Sequence, residues 1–315
     1  MSYRIDPRLP LTEEARRILG EEIGKALGAL EAARDRPEQG LHKCRKRLKA
    51  VRALLRLLRA GDEEFFAAEN ARYRQVAALL ADARQATALV ETLERLQRAF
   101  PEETAGGGLD TVRDALAAGQ RQVHESGDLG VVIDAAAAAC AQGLRRVEEL
   151  VLPDQPEQAA DVLAEGTRAT LRRARRALER AGSRGAPDDF HDLRKAAKAH
   201  GMHLSLLGRL WPTPIKARRK AVDELGESLG ELQDVLVLRA LVEAGDARLG
   251  PPSGTKLLRK LLKRSERSLR KSCLAAAAEL FGDSPKRSVR RLARKARGDF
   301  AAGGAADEGA AVNPP

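Results

Sequence analysis

The segment His42-Lys43-Cys44-Arg45-Lys46-Arg47-Leu48-Lys49 recurs 149 residues later as His191-Asp192-Leu193-Arg194-Lys195-Ala196-Ala197-Lys198. The same ungapped offset lays Leu57-Leu58 on Leu206-Leu207, Val76 on Leu225, Leu80 on Leu229, Gln85 on Asp234 and Leu89 on Leu238. Upstream, an offset of 148 lays Ile23 on Leu171 and Leu30 on Leu178. Self-similarity at one long period means that a folding unit is used twice. The expected organisation is a first half over 1–152, a second over 157–300, and a disordered Gly/Ala-rich tail over 301–315.

The repeated unit is helical. Leu, Ala and Val make up most of the apolar 43%, Glu, Arg and Lys fill most other positions, and the aromatics are six Phe, two Tyr and one Trp. These are strong helix formers. No alternating strand pattern interrupts them. Proline and glycine breakers at Pro37, Gly61, Pro101, Pro153, Gly182 to Pro187, Pro212, Gly250 and Gly282 to Pro285 leave helices near 12–35, 39–60, 63–99, 109–123, 130–151, 157–182, 188–211, 215–245, 254–281 and 285–297. Long helices joined by short turns predict an all-α fold, each half an antiparallel bundle, the two packed about a pseudo-twofold axis.

Charge is sorted along the chain, which the net +11 conceals. From His42 to Arg59 there are eight Lys/Arg and no acid; from Asp62 to Glu165 nine bases meet twenty acids; from Lys256 to Arg297 fifteen bases meet three acids. Such segregation creates a field that concentrates anions. On a helix, His42, Arg45, Lys49, Arg52, Arg56 and Arg59 fall within roughly 100° of one another, beside an apolar face of Cys44, Leu48, Val51, Leu55 and Leu58. Like charges three and four residues apart repel by a few tenths of a kcal/mol per pair, and a bound polyanion offsets that cost. The second half repeats His191, Arg194, Lys195 and Lys198, but Gly201 takes the place of Arg52 and shortens the ridge. Further ridges are Lys256, Arg259, Lys260, Lys263, Arg264, Arg267, Arg270 and Lys271, and Arg168, Arg172 and Arg175, with more cations crowding 286–295. Each stripe taken alone also fits a solvated helix face. His200 points to the apolar face of its helix and His203 to the edge, both structural; His124 has no cationic companions.

The duplicated HxxRxxxK segment, together with Leu229-Gly230-Glu231-Leu232-Gln233-Asp234-Val235, resembles the conserved-histidine α-helical domain, or CHAD, family over about residues 12–297. The resemblance implies two four-helix-type bundles enclosing a basic cleft or channel that binds inorganic polyphosphate. It carries over to His42, Arg45, Lys49 and Arg52, and to His191, Arg194 and Lys198. The neighbouring cations Lys46, Arg56, Arg168, Arg172, Lys195, Lys260, Lys263, Arg264 and Arg267 are added from the stripes. Ala50, Ala199 and Gly201 stand where the family often has cations, and Gln85 replaces the acid matched by Asp234.

Polyphosphate is an unbranched chain of like charges without bases, so its receptor needs a cationic track and no stacking platforms. Duplex nucleic-acid binding through the backbone is the main alternative, permitted by the sequence pI of about 9.9. A structural role at the surface of a storage granule is another. The chain has no P-loop, HExxH, GxSxG or ExExK signature and no carboxylate pair near the cations, so neither catalysis nor a cofactor is expected. Cys44, Cys140 and Cys273 are odd in number and far apart, as small core residues rather than disulfide or metal ligands. Without an apolar run long enough for a span or a signal sequence, a cytoplasmic location is expected.

Overall fold

The computed structural model describes residues 3–125, 128–210, 215–250 and 255–310, and the side chains of all of these except 82–86, 121–125, 128 and 304–310; most of them are helical. The helices are α1 (Leu11–Ala32), α2 (Pro37–Leu58), α3 (Glu63–Leu79), α4 (Ala81–Ala99), α5 (Pro101–Thr104), α6 (Asp110–Glu125), α7 (Asp128–Arg146), α8 (Pro156–Ser183), α9 (Pro187–Leu206), α10 (Ile215–Ala244), α11 (Thr255–Phe281) and α12 (Lys286–Ala310). Among the described residues there is no strand. The all-α expectation holds, and the local signals that start the helices are legible. Proline opens α2, α5, α8 and α9, where its missing N–H costs nothing. The Asp62 carboxylate caps α3 by accepting from the Phe65 amide at 2.9 Å. Beyond α8, Gly185 takes a left-handed φ of 66°, which lets the chain reverse into α9.

Helix contacts follow the chain in two parallel series. α1 packs on α2 and α7, and α2 on α3; α8 packs on α9 and α12, and α9 on α10. Ile18, Ile23, Leu48, Val51, Tyr73 and Cys140 lie in one core, which also takes in Leu163 of α8, Leu206 of α9 and Leu292 of α12; Leu171, Leu193, Leu225, Leu229 and Cys273 lie in another. A third core joins the halves. Leu89, Leu93, Leu96, Val112 and Leu116 of α4 and α6 meet Val235, Leu238, Val242, Leu258 and Leu262 of α10 and α11. The pairs Leu80 and Leu229, Val76 and Leu225, and Leu89 and Leu238, matched by the sequence offset, are all buried. The three cysteines are buried and free.

Five expectations are corrected. The helix drawn over 63–99 breaks at Leu80, whose φ of −90° and ψ of 14° separate α3 from α4, whereas the second half keeps one 30-residue helix there. Leucine and alanine propensity cannot signal a break that a tertiary contact, described below, sustains. α9 ends at Leu206 instead of 211, and α7 gives way at Arg146 to a 3-10 turn over Val147–Glu149. α12 continues to Ala310, into the stretch expected as tail; Gly303 is buried, with room for only a hydrogen against the Arg8 backbone. His203 is fully buried rather than at an edge. The side chains of Gln85 and His124, and residues 311–315, lie outside the described part.

Candidate anion-binding site

α2 buries Leu41, Cys44, Leu48, Val51 and Leu55 and turns its cations to the neighbouring face. His42, Lys46 and Lys49 are exposed there; Arg45, Arg52 and Arg56 are half-buried. Arg45 Nη1 donates to the carbonyls of Ala77 at 3.2 Å and Leu80 at 2.9 Å. Ala77 lies in the last turn of α3 and Leu80 is the N-cap of α4, so Arg45 bonds carbonyls on both sides of the α3–α4 break and sustains it. Arg52 Nε donates to Asn70 Oδ1 on α3 at 3.2 Å. Burial first, then the charges of Arg74 and Arg173, lower the proton affinity of Arg52. Burial, Arg52 and Arg173 push Arg56 down to about 10. It is still charged at neutral pH. Four guanidinium groups from α2, α3 and α8 therefore raise one another's energy, and an anion among them relieves both desolvation and repulsion.

This grouping depends on the close approach of α8 to α2. A methyl group at Gly166 would meet the Leu57 carbonyl oxygen at 2.0 Å, so only glycine allows the two backbones to lie so near. The contact also brings Arg173 to the arginines of α2.

In the second half α9 and α10 run antiparallel in one steady register. Gln233 of α10 lies beside the His191 ring. One turn on, Arg194 lies over Gly230, where an added methyl would come within 3.3 Å of Nη2. Another turn on, Lys198 crosses Gly226, where a methyl would meet Cε at 2.8 Å. The two glycines thus provide a shallow bed for two cationic stems, and the sequence offset puts Ala77 and Ala81 in their places in the first half. Burial, then Lys195 and Arg194, lower the pKa of His191 below its usual 6.5, so the ring is neutral at pH 7 in the free protein. Lys198 is lowered by burial and by Arg194, against the opposing charges of Glu227 and Asp223. Buried polar atoms with no hydrogen-bond partner include His191 Nδ1 and Gln233 Oε1.

The remaining cations are arranged differently. Arg168 and Arg172 both reach Glu165, at 2.8 and 2.7 Å. Lys195 is exposed and 3.6 Å from Asp192. On α11, Lys260, Lys263 and Arg267 are exposed, while Arg264 pairs with Glu103 at 2.6 Å and lies over the Phe100 ring at 4.9 Å, turned toward α4 and α5. The structure thus gathers Arg52 with Arg56, and His191 with Arg194 and Lys198, while Arg168, Arg172 and Arg264 are engaged by acids. Sequence reasoning missed Arg74, Arg173, Asn70 and Gln233. Arg173 sits about 100° around α8 from Arg172 and so fell outside the stripe that was drawn. Gln233 was within reach, because it lies inside the quoted Leu229–Val235 segment.

The α2–α9 joint is closed by His203, whose Nε2 donates to the Ala53 carbonyl at 2.9 Å, and by His200, which accepts from Arg218 Nε at 3.3 Å and meets Phe281 edge-on. Asp234 pairs with Arg95 of α4 at 2.9 Å and ties α10 to the first half.

No curated protein matches the sequence. Among solved structures the chain is similar to PptA from Streptomyces chartreusis, with 17% identity over 87% of this chain and 100% of that chain and a TM-score of 0.56, a likeness of fold. The family model for the CHAD domain matches residues 17–243, from α1 almost to the end of α10, with α11 and α12 beyond it. With well over half of its length matched by that model, the chain belongs to the CHAD domain family.

Proposed function

We propose that this protein binds inorganic polyphosphate without transforming it, along a cationic track in a cleft between two halves related by a pseudo-twofold axis. The observation that carries the reading is the grouping of Arg52, Arg56, Arg74 and Arg173, whose mutual repulsion and burial are offset once an anion sits among them. His191, Arg194 and Lys198 on α9 supply the second stretch of the track. The matching contact series of the helices supports the twofold relation. Base stacking has little to work with. Phe66, Phe100 and Phe190 are already covered by Arg59, Arg264 and Arg270, with guanidinium carbons 4.6 to 5.2 Å from the ring centroids. Among the described residues no helix is long and apolar enough to cross a membrane, and a cytoplasmic, granule-associated pool is the location this reading favours.

The test is a variant with Arg52, Arg56 and Arg194 changed to Gln, titrated with long-chain polyphosphate across a salt series. Each charged hydrogen bond contributes roughly 1 to 3 kcal/mol, so affinity should fall by at least a hundredfold at low salt and the salt dependence should flatten. The melting temperature should hold or rise, because like-charge repulsion is removed. Unchanged affinity with an intact fold would remove these residues from the site.

A further inference from the structure

We propose that Asp223 and Glu227 end the polyanion track of the second half at Lys198, so that a bound chain leaves the α9–α10 face there while in the first half it runs on past the equivalent point. The inference rests on the polyphosphate reading and concerns how far along each half the ligand is held.

α2 and α9 carry the same spacing of His, Arg and Lys as far as Lys49 and Lys198 and then diverge. At the next rung the first half sets Arg52 of α2 beside the face of α3 that carries Asn70 and, one turn on, Arg74; Asn70 Oδ1 is 3.2 Å from Arg52 Nε. In the second half the corresponding pair is Gly201 and Asp223, and a methyl group on Gly201 would come within 3.2 Å of Asp223 Oδ1. A rung of two cations has become a glycine seated against an acid. The change extends along the helix. Arg74, Gln75 and Ala78 of α3 stand at the positions of Asp223, Glu224 and Glu227 of α10, while Asn70 and Ala71 stand at those of Arg219 and Lys220, whose charges Asp223 and Glu224 oppose.

Asp223 and Glu227 offset part of the charge of the half-buried Lys198, and the acids are otherwise weakly engaged. Asp223, Glu224 and Glu227 are exposed. Asp223 has only a long contact to Arg219, at 3.8 Å, and Glu224 one to Lys220, at 3.7 Å. Glu227 makes no ion pair among the described residues. All three line a groove of about 640 Å³ with Arg4, Lys216, Arg219 and Lys220. Phosphates passing Lys198 would meet the Asp223 and Glu227 carboxylates, and like charges cost most at close range. On the first half the same path leads to Arg52, Arg56, Arg74 and Arg173. The track is therefore polar, open at its first-half end and closed at its second-half end.

The experiment compares the full chain with the double variant Asp223→Asn, Glu227→Gln, titrated with long-chain polyphosphate and with tripolyphosphate over a salt series. Both substitutions are nearly isosteric and exposed, and circular dichroism checks the fold. Long-chain polyphosphate should bind roughly two- to tenfold tighter to the variant at low salt, and its logarithmic salt slope should steepen by about one as a further phosphate is engaged. Tripolyphosphate is short enough to be held wholly among the first-half arginines, and its affinity should stay within twofold. An unchanged slope for the long chain, or an equal gain for both ligands, overturns the proposal, the latter because it marks a general field effect. Absence of binding by the unmodified protein would instead overturn the polyphosphate reading itself.

Discussion

At the scale of single residues, the cations of this protein divide into those that build the fold and those that it holds in reserve for an anion. Arg45 illustrates the first kind, because its bonds to the Ala77 and Leu80 carbonyls sustain the α3–α4 break. Removing it would confound a binding experiment with a structural one. His191 belongs to the second kind. Its pKa lies below 6.5 in the free protein, so its neutral ring contributes stability that is present above the unfolded value near 6.5 and is lost as pH falls beneath it. A phosphate beside the ring reverses the preference and favours the imidazolium, so binding takes up a proton. Affinity for polyphosphate should accordingly rise as pH is lowered from about 8 to about 6, and that rise should shrink in His191→Asn. A pH dependence identical in the two proteins would show that His191 does not face the ligand.

At the scale of elements, what the sequence reveals depends on whether a feature is local. Apolar periodicity and N-terminal prolines place the starts of α1, α2, α8 and α9 within two residues, and the offset of the repeat pairs their core positions, since burial on one helix face is written in that helix's own sequence. The break at Leu80 is not, because it depends on a guanidinium from α2, and nothing among the leucines and alanines around it asks for a turn. The site divides in the same way. The HxxRxxxK segments identify His191, Arg194 and Lys198, but the presence of Arg74 and Arg173 beside Arg52 follows from which helices touch, and only the packed structure carries that. Gly166 is where this packing is decided, and Gly166→Ala would drive a methyl into the Leu57 carbonyl. Separating α8 from α2 should cost roughly 2 to 4 kcal/mol, read as a fall in the urea midpoint, and should weaken polyphosphate binding in the fraction that stays folded by parting Arg173 from Arg56. Full stability in this variant would mean that the α2–α8 contact is looser than described.

At the scale of the molecule, charge is distributed to serve binding more than stability. Acids outnumber bases on α1, α3, α5 and α6, bases outnumber acids on α2, α8, α11 and α12, and pairs such as Arg264 with Glu103 join the two populations. Exposed pairs of this kind add little to folding, typically under about 1 kcal/mol each. Their effect is to leave the half-buried Arg52 and Arg56 of α2, beside the exposed Arg74 and Arg173, as a cluster of like charge, in a protein where Phe66, Phe100 and Phe190 are already stacked under arginine. A receptor of that kind can count phosphates but has no means of preferring bases. Competition between long-chain polyphosphate and RNA, at equal phosphate concentration and near-physiological salt, therefore tests the central claim most directly. Polyphosphate should displace labelled RNA completely at or below phosphate equivalence, and RNA should fail to displace labelled polyphosphate at the same ratio; RNA prevailing in both directions would contradict the account.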